Sequence, residues 1–238
     1  MARRPVDHAR RSFVWRKLVE AGAEFADVHD AAVGVRFGAD DEAHARTIGL
    51  ADLSPLPRTG FKGRDALAAL QAKSLVLEPT PNRAFRQPDG GLVAVLGPNE
   101  ALLLGPLTGS AARLGLLERE GAFAHGTRCH PVPRAESHGW FKLTGEHAAA
   151  MLAKLCSIDL RPGRFADLQV AQTSLARTSA ILIRHDLGPT LAYDLLADSA
   201  SAGWLWDVLL DAMAEFGGRP VGLTALRSLA HERPPAPR

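Results

Sequence analysis

The sequence predicts an α+β fold of two pseudo-repeated α/β halves packed into one body. Three observations lead there. Apolar runs of strand length alternate with helical patterns along most of the chain. Gly60-Phe61-Lys62-Gly63-Arg64-Asp65-Ala66, with Leu70 beyond it, is echoed by Lys142-Leu143-Thr144-Gly145-Glu146-His147-Ala148, with Leu152 beyond it. Composition is ordinary for a globular protein, with 46% apolar and 23% charged residues.

In the repeated segment, Gly63 and Gly145 lie 82 residues apart. Each copy reads as strand, glycine turn and amphipathic helix, with apolar strands after it. Two such units can also look alike without a duplication, so both origins stay open at this stage. A true duplication would mean that neither half folds alone.

The individual elements follow in order. Residues 7–22 read as a helix with Asp7 as N-cap, Phe13, Val14, Leu18 and Val19 on one face, and Gly22 as its stop. Residues 31–37 and 58–62 read as strands, and 65–73 as a helix after Gly63. The apolar runs 92–96 and 101–104 flank Gly97-Pro98-Asn99-Glu100, which predicts a hairpin. A short helix is expected over 110–121, and a connection near 122–138 joins the halves. The second half gives a strand at 140–143, a helix at 146–155, and strands at 168–175, 179–184 and 191–196. Trp204, Val208, Ala212 and Phe216 recur every four residues, with Leu205, Leu209 and Met213 beside them and Asp207, Asp211 and Glu215 opposite, so 202–216 is an amphipathic helix. Gly217-Gly218 stops it and Pro220 prevents a restart.

With 238 residues the chain can bury about 70–75% of its unfolded surface. The 28 basic and 26 acidic residues nearly balance, which gives no reason to expect nucleic acid. No apolar stretch approaches the roughly 20 residues of a membrane span. Arg3, Arg4, Arg10 and Arg11 are followed by no apolar run of signal-peptide type, and Asp7 and the scarcity of serine argue against a transit peptide. The two cysteines, Cys129 and Cys156, offer no disulfide framework, so a reducing, cytoplasmic setting is expected. The expected organisation is an N-terminal helix and lead-in strand (1–47), a main domain (48–232) and a disordered Pro-rich tail (233–238).

Motifs for cofactors are sparse. Asp89-Gly90-Gly91 does not match a phosphate loop, and no dinucleotide fingerprint follows a strand. His125, Cys129, His130 and His138 lack a second ligand pair at zinc spacing, so no metal site is expected. Cys156 reads as a small buried hydrophobe.

A resemblance carries the rest. Asp52-Leu53-Ser54, leading to Gly63-Arg64-Asp65-Ala66, resembles the entry segment of glycine-cleavage-type aminomethyltransferases. Gly217-Gly218-Arg219-Pro220-Val221-Gly222-Leu223-Thr224-Ala225-Leu226-Arg227 is similar to a segment late in that domain. Leu96-Gly97-Pro98-Asn99-Glu100, Phe141-Lys142-Leu143-Thr144-Gly145 and Cys156-Ser157-Ile158-Asp159-Leu160-Arg161-Pro162 resemble sarcosine oxidase gamma subunits more closely. The resemblance spans roughly residues 48–230. It implies a folate-binding-type domain and a place beside flavoprotein alpha and beta subunits. Those chains would hold FAD, FMN and NAD, oxidise an N-methyl amine, and pass the one-carbon unit to tetrahydrofolate.

The same resemblance points to three candidate folate contacts. Tyr193-Asp194 fits the position of the pterin-anchoring acid, with Asp shorter than the usual Glu. Arg227 stands one place late against the family's arginine, about 100° around a helix. The loop Gly105-Pro106-Leu107-Thr108-Gly109-Ser110 offers no carboxylate where the family has one. Two lost contacts would cost about 2–4 kcal/mol, so weak or no folate binding and no catalytic residue are expected. Tyr193-Asp194 admits two readings, a strand-end pair at the surface or a residual ligand pocket. Phe13, Val14 and Trp15 among basic residues likewise admit two, a partner-docking helix or a cap on this domain's own core.

Overall fold

In the computed structural model, residues 5–119 and 122–232 are described; the expected tail and the first four residues, with Arg3 and Arg4, lie outside them. The N-terminal part comprises a 3-10 turn at Pro5–Asp7, strand β1 (Arg10–Arg11), helix α1 (Trp15–Glu20) and the hairpin β2 (Glu24–Val28) and β3 (Ala31–Arg36). Helix α2 (Asp41–Thr47) and strand β4 (Gly49–Asp52) lead into the first half. That half runs β5 (Arg58–Lys62), α3 (Ala66–Ala72), β6 (Arg83–Arg86), β7 (Leu92–Gly97), β8 (Glu100–Leu104) and α4 (Ala112–Glu118). Strand β9 (His130–Pro133) leads into the second half, β10 (His138–Thr144), α5 (Ala148–Leu152), β11 (Val170–Leu175), β12 (Thr178–Arg184) and β13 (Ala192–Asp198). A 3-10 turn at Ser199–Ser201, helix α6 (Ala202–Ala214), strand β14 (Arg219–Pro220) and helix α7 (Leu223–His231) complete the described residues.

The two halves share one strand order. The first sheet runs β6-β7-β8-β5-β9 and the second β11-β12-β13-β10-β4-β14. The fifth strand of each sheet is exchanged. β4, which precedes the first half, pairs with β10 of the second, and β9, which precedes the second half, pairs with β5 of the first.

The repeated glycines sit at matching turns. Gly63 donates to the Asn99 carbonyl and Gly145 to the Leu191 carbonyl, both with positive φ. A Cβ on Gly63 would run into the Arg128 carbonyl, and one on Gly145 into the Thr47 carbonyl. Those carbonyls also accept from Asp65 N–H and His147 N–H, the matching residues of the two repeats. Each turn is therefore closed by the segment just upstream of the exchanged strand.

Side-chain alternation builds the layers. Phe61, Val93, Val95 and Leu103 face outward under α3 and α4, while Leu92, Ala94, Leu102 and Leu104 face inward. The second sheet turns Trp140, Ala192 and Leu196 inward, and Phe141, Leu143, Tyr193 and Leu195 outward under α5 and α6. The order is helices, sheet, shared inner core, sheet, helices. The sheets join along one side, where Ala84 N–H donates to Leu168 O and Val170 N–H to Asn82 O. Pro131 and Pro133 lie in edge strand β9, where a missing donor costs no ladder bond. Helix α7 closes the inner core with Leu226 and Leu229, and β3 and α2 pack on it. Buried Asp41 fastens this corner by accepting from Phe37, Gly38 and Gly222 N–H.

Some expectations change. The first helix starts at Trp15 rather than residue 7, because Arg10–Arg11 pair with β3 and the Ser12 hydroxyl accepts from Val14 N–H. Asp7 lies in the preceding 3-10 turn and not at an N-cap. The helix expected over 110–121 is Ala112–Glu118; residues 120 and 121 lie outside the described ones. Helix α6 buries most of the expected apolar face, but Trp206 is turned in and Trp204 out. Leu205, Trp206, Leu209 and Met213 are inside, while Trp204 stays 51% exposed.

Candidate functional site

Strand β13 separates the two adjacent candidates by alternation. Tyr193 turns outward into the core beneath α6, and its hydroxyl donates to the Leu160 carbonyl. Burial pushes its pKa upward. Asp194 turns inward, between the sheets. Both are fully buried, so the surface part of the strand-end reading is corrected: the pair stands near the start of β13, but in a central strand paired on both sides.

Asp194 stands directly opposite Lys142 in the β10–β13 register, and the lysine is only 1% exposed. Lys142 Nζ lies 2.9 Å from Asp194 Oδ2, and Trp140 Nε1–H donates to Oδ1 at 2.9 Å. His185, just after β12, places Nδ1 3.1 Å from the same Oδ2 and 3.4 Å from Lys142 Nζ. Burial raises the carboxyl pKa, but Lys142, His185 and Trp140 together outweigh it and hold Asp194 well below the usual carboxylate range. For His185, burial and Lys142 push the imidazole pKa down against the pull of Asp194. The ring is neutral at pH 7, with Nδ1 committed inward.

His185 is the part of this network that meets open space. It lines a cleft of about 530 Å3 together with Arg86, Gln87, Thr108, Asp167 and His231. The cleft's charges are paired. Arg86 bridges to Asp167 at 2.9 Å, Arg184 to Asp186 at 2.7 Å, and Arg46 pairs with Glu232. A site of this kind offers hydrogen-bonding edges and the imidazole of His185, without an unpaired carboxylate among the described residues that line it.

Arg227 does not join the Asp194 cluster. From α7 its Nε–H donates to the Leu107 carbonyl at 2.6 Å, which fastens the 105–110 loop to the helix. That loop contributes Leu107 and Thr108 to the cleft wall. Burial lowers its pKa. Of the three candidates, Asp194 backs the cleft through His185, Arg227 supports a wall, and Tyr193 belongs to the outer core.

Trp140, Lys142 and His185 were not among the sequence candidates. Lys142 carried a signal, since a lysine between Phe141 and Leu143 in a buried strand requires an anion beside it. His185 carried none, because its role depends on where β12 ends relative to β13. The His125, Cys129, His130 and His138 set does not converge: among the described residues no three His, Cys, Asp or Glu side chains stand where they could hold a metal ion. Burial, with Asp65 nearby, pushes the Cys129 thiol up to about 11, which makes it inert. No helix among the described residues is long and apolar enough to cross a membrane.

This fold and its inter-sheet cleft define an aminomethyltransferase-type domain, and the chain belongs to the GCVT N-terminal domain family, which it matches over residues 86–234. Dimethylglycine dehydrogenase, mitochondrial, of Mus musculus is 27% identical over 209 residues, covering 82% of this chain and 24% of that protein. The chain thus spans about a quarter of the length of that relative. Among solved structures, glycine cleavage system aminomethyltransferase T from Bartonella henselae superposes with a TM-score of 0.72 at 18% identity, over 93% of this chain and 62% of that one. A chain of heterotetrameric sarcosine oxidase from Corynebacterium sp. U-96, in complex with pyrrole 2-carboxylate, matches with a TM-score of 0.64 at 23% identity. That match covers 89% of this chain and 98% of that one.

Proposed function

We propose that the chain is a non-catalytic, gamma-like subunit of a heteromeric, cytoplasmic, sarcosine-oxidase-like complex. Flavoprotein alpha and beta chains would hold FAD, FMN and NAD, oxidatively demethylate an N-methyl amine, and deliver the one-carbon unit to tetrahydrofolate. The observation that carries the reading is the Lys142–Asp194 pair. The acid at the family's pterin-anchoring position has both oxygens occupied by this chain's own donors and no exposed surface. A pterin entering the cleft meets His185 instead, and a single neutral imidazole cannot accept the paired hydrogen bonds a carboxylate would. The near-complete coverage of one chain of a heterotetramer supports a subunit of this size and shape.

Native mass spectrometry of the endogenous protein tests this. An assembly containing larger, flavin-bearing chains is expected; a free monomer overturns the reading.

A second reading, a free-standing tetrahydrofolate-dependent methyl- or aminomethyltransferase, draws support from the higher TM-score to aminomethyltransferase T and from the open cleft at His185. Against it stands the absence of an available carboxylate in that cleft.

A further inference from the structure

Arg58 opens β5 and is only 3% exposed. Its Nη1 donates to the Ser54 and Leu56 carbonyls and its Nη2 to the Ala135 and His138 carbonyls, while its Nε–H has no partner. Carbonyl dipoles solvate a guanidinium but carry no net charge. Among the described residues no carboxylate forms an ion pair with it. Asp52 acts on it without pairing, and Asp52 is itself buried, where burial raises its carboxyl pKa against hydrogen bonds with Ser12 and Ser54. Burial lowers the Arg58 pKa only to about 10, so the cation persists at neutral pH. A buried charge is ordinarily paired. This one is not, and it lines a cavity.

That cavity, of about 470 Å3, lies between β1, the β2–β3 turn, α4 and the loop before β10. Its titratable lining is Arg10 and Arg58, His29, and the carboxylates Asp30, Glu118 and Glu136. None of these groups forms an ion pair among the described residues. The backbone fixes where each one stands. Arg10 lies opposite Ala31 in the β1–β3 pairing, and its Nη2 donates to the Pro55 carbonyl at 3.4 Å. Asp30 sits in the tight turn between Val28 and Ala31, where it and His29 both have positive φ. Glu118 is on α4, and Glu136 follows Ala135, whose carbonyl Arg58 holds. Arg58 is buried, Arg10 half-buried, and all three carboxylates are exposed. The cavity is therefore positive at depth and negative at its rim.

We propose that this cavity binds a small zwitterionic amino acid, its carboxylate inward toward Arg58 and Arg10 and its ammonium outward among Asp30, Glu118 and Glu136. The carboxylate supplies the charge that Arg58 lacks, and Arg10 offers it N–H donors in the fork geometry that suits a carboxylate. A simple anion would satisfy the arginines but stand inside a rim of three carboxylates. A simple cation would suit the rim and leave Arg58 uncompensated. A ligand carrying both charges meets both ends. The cavity shares no lining residue with the His185 cleft, and the proposal does not rest on the subunit reading.

The test titrates the full-length protein with glycine, acetate and methylammonium, read by calorimetry and by amide resonances. It uses the wild type, the double variant Asp30→Asn/Glu118→Gln, and Arg10→Gln. Asparagine tolerates the left-handed backbone of the β2–β3 turn, so the double variant keeps that turn. Glycine is expected to bind the wild type about tenfold or more tighter than either single-charge probe, and to move the amide resonances of Asp30 and Glu118. The double variant should lose about tenfold for glycine and nothing for acetate, whereas Arg10→Gln should weaken both. Thermal unfolding of both variants should match wild type. The ranking of the three probes on the wild type needs no variant, so it decides the matter even where a variant melts early. Acetate or methylammonium binding as tightly as glycine overturns the proposal, as does glycine affinity unchanged in both variants. Glycine that moves no resonance also overturns it, and is the result expected if Glu136 folds inward as the counter-ion of Arg58.

Discussion

Lys142 and Asp194 face each other across the β10–β13 ladder, both buried, and Trp140 and His185 stand within hydrogen-bond distance of the same carboxylate. A buried ion pair contributes little net stability, yet breaking it is costly because one charge is left alone in a medium of low dielectric.

Lys142→Met should therefore destabilise the protein by about 3–5 kcal/mol, with Asp194 left buried and uncompensated. The double variant Lys142→Met/Asp194→Leu should recover much of that loss, since a packed apolar pair replaces both charges. Urea denaturation of the wild type, both single variants and the double variant gives the coupling. Additive effects would mean that the two residues do not act as a pair.

Stability should fall on acidification in two windows. His185 has a folded pKa below its unfolded value of about 6.5, so the folded state resists a proton that the unfolded chain accepts. Its contribution is full above about pH 6.5 and declines as pH falls toward the folded value. Asp194, also depressed, contributes fully above its unfolded pKa of about 3.9 and loses that contribution as pH falls through its folded value. Denaturation midpoints between pH 7 and 5 should slope downward in the wild type and flatten in His185→Gln. An equal slope in the variant would assign the first window to another group.

Gly63→Ala and Gly145→Ala should each cost at least about 1–3 kcal/mol, because both backbones hold positive φ and both new methyl groups meet a carbonyl of the exchanged segment. Gly38→Ala is the control, since a Cβ there meets nothing. Thermal melts that place all three variants together would show that the two turns are looser than their contacts indicate.

Residues 54–128 and 134–232 produced as separate chains should not fold, since β4 and β9 each complete the other half's sheet. Dispersed amide resonances from either piece alone would contradict this.

Calorimetry of the isolated chain with tetrahydrofolate should give no micromolar binding. Micromolar affinity abolished by Asp194→Ala would favour the transferase reading, because it would require the carboxylate to leave Lys142 and meet the ligand.

The sequence by itself determined the alternation of strands and helices, the hairpin at 97–100, the pairing of Gly63 with Gly145 and the amphipathic character of 202–216, all written in local periodicity and turn chemistry. It also placed Asp194 beside Tyr193. It could not decide that one turns outward beneath α6 and the other inward against a lysine 52 residues earlier, because that depends on strand register and sheet order. The same limit applies to α6, where the expected apolar face held both Trp204 and Leu205. Trp204 and Leu205 both fit the helical period, and only the position of the sheet beneath them selects Leu205. The exchange of β4 and β9 likewise has no sequence signature, since a strand carries no mark of which sheet it will join. Local patterns fix what a segment becomes; the burial of one face against another, and the charges brought together there, come only from tertiary packing.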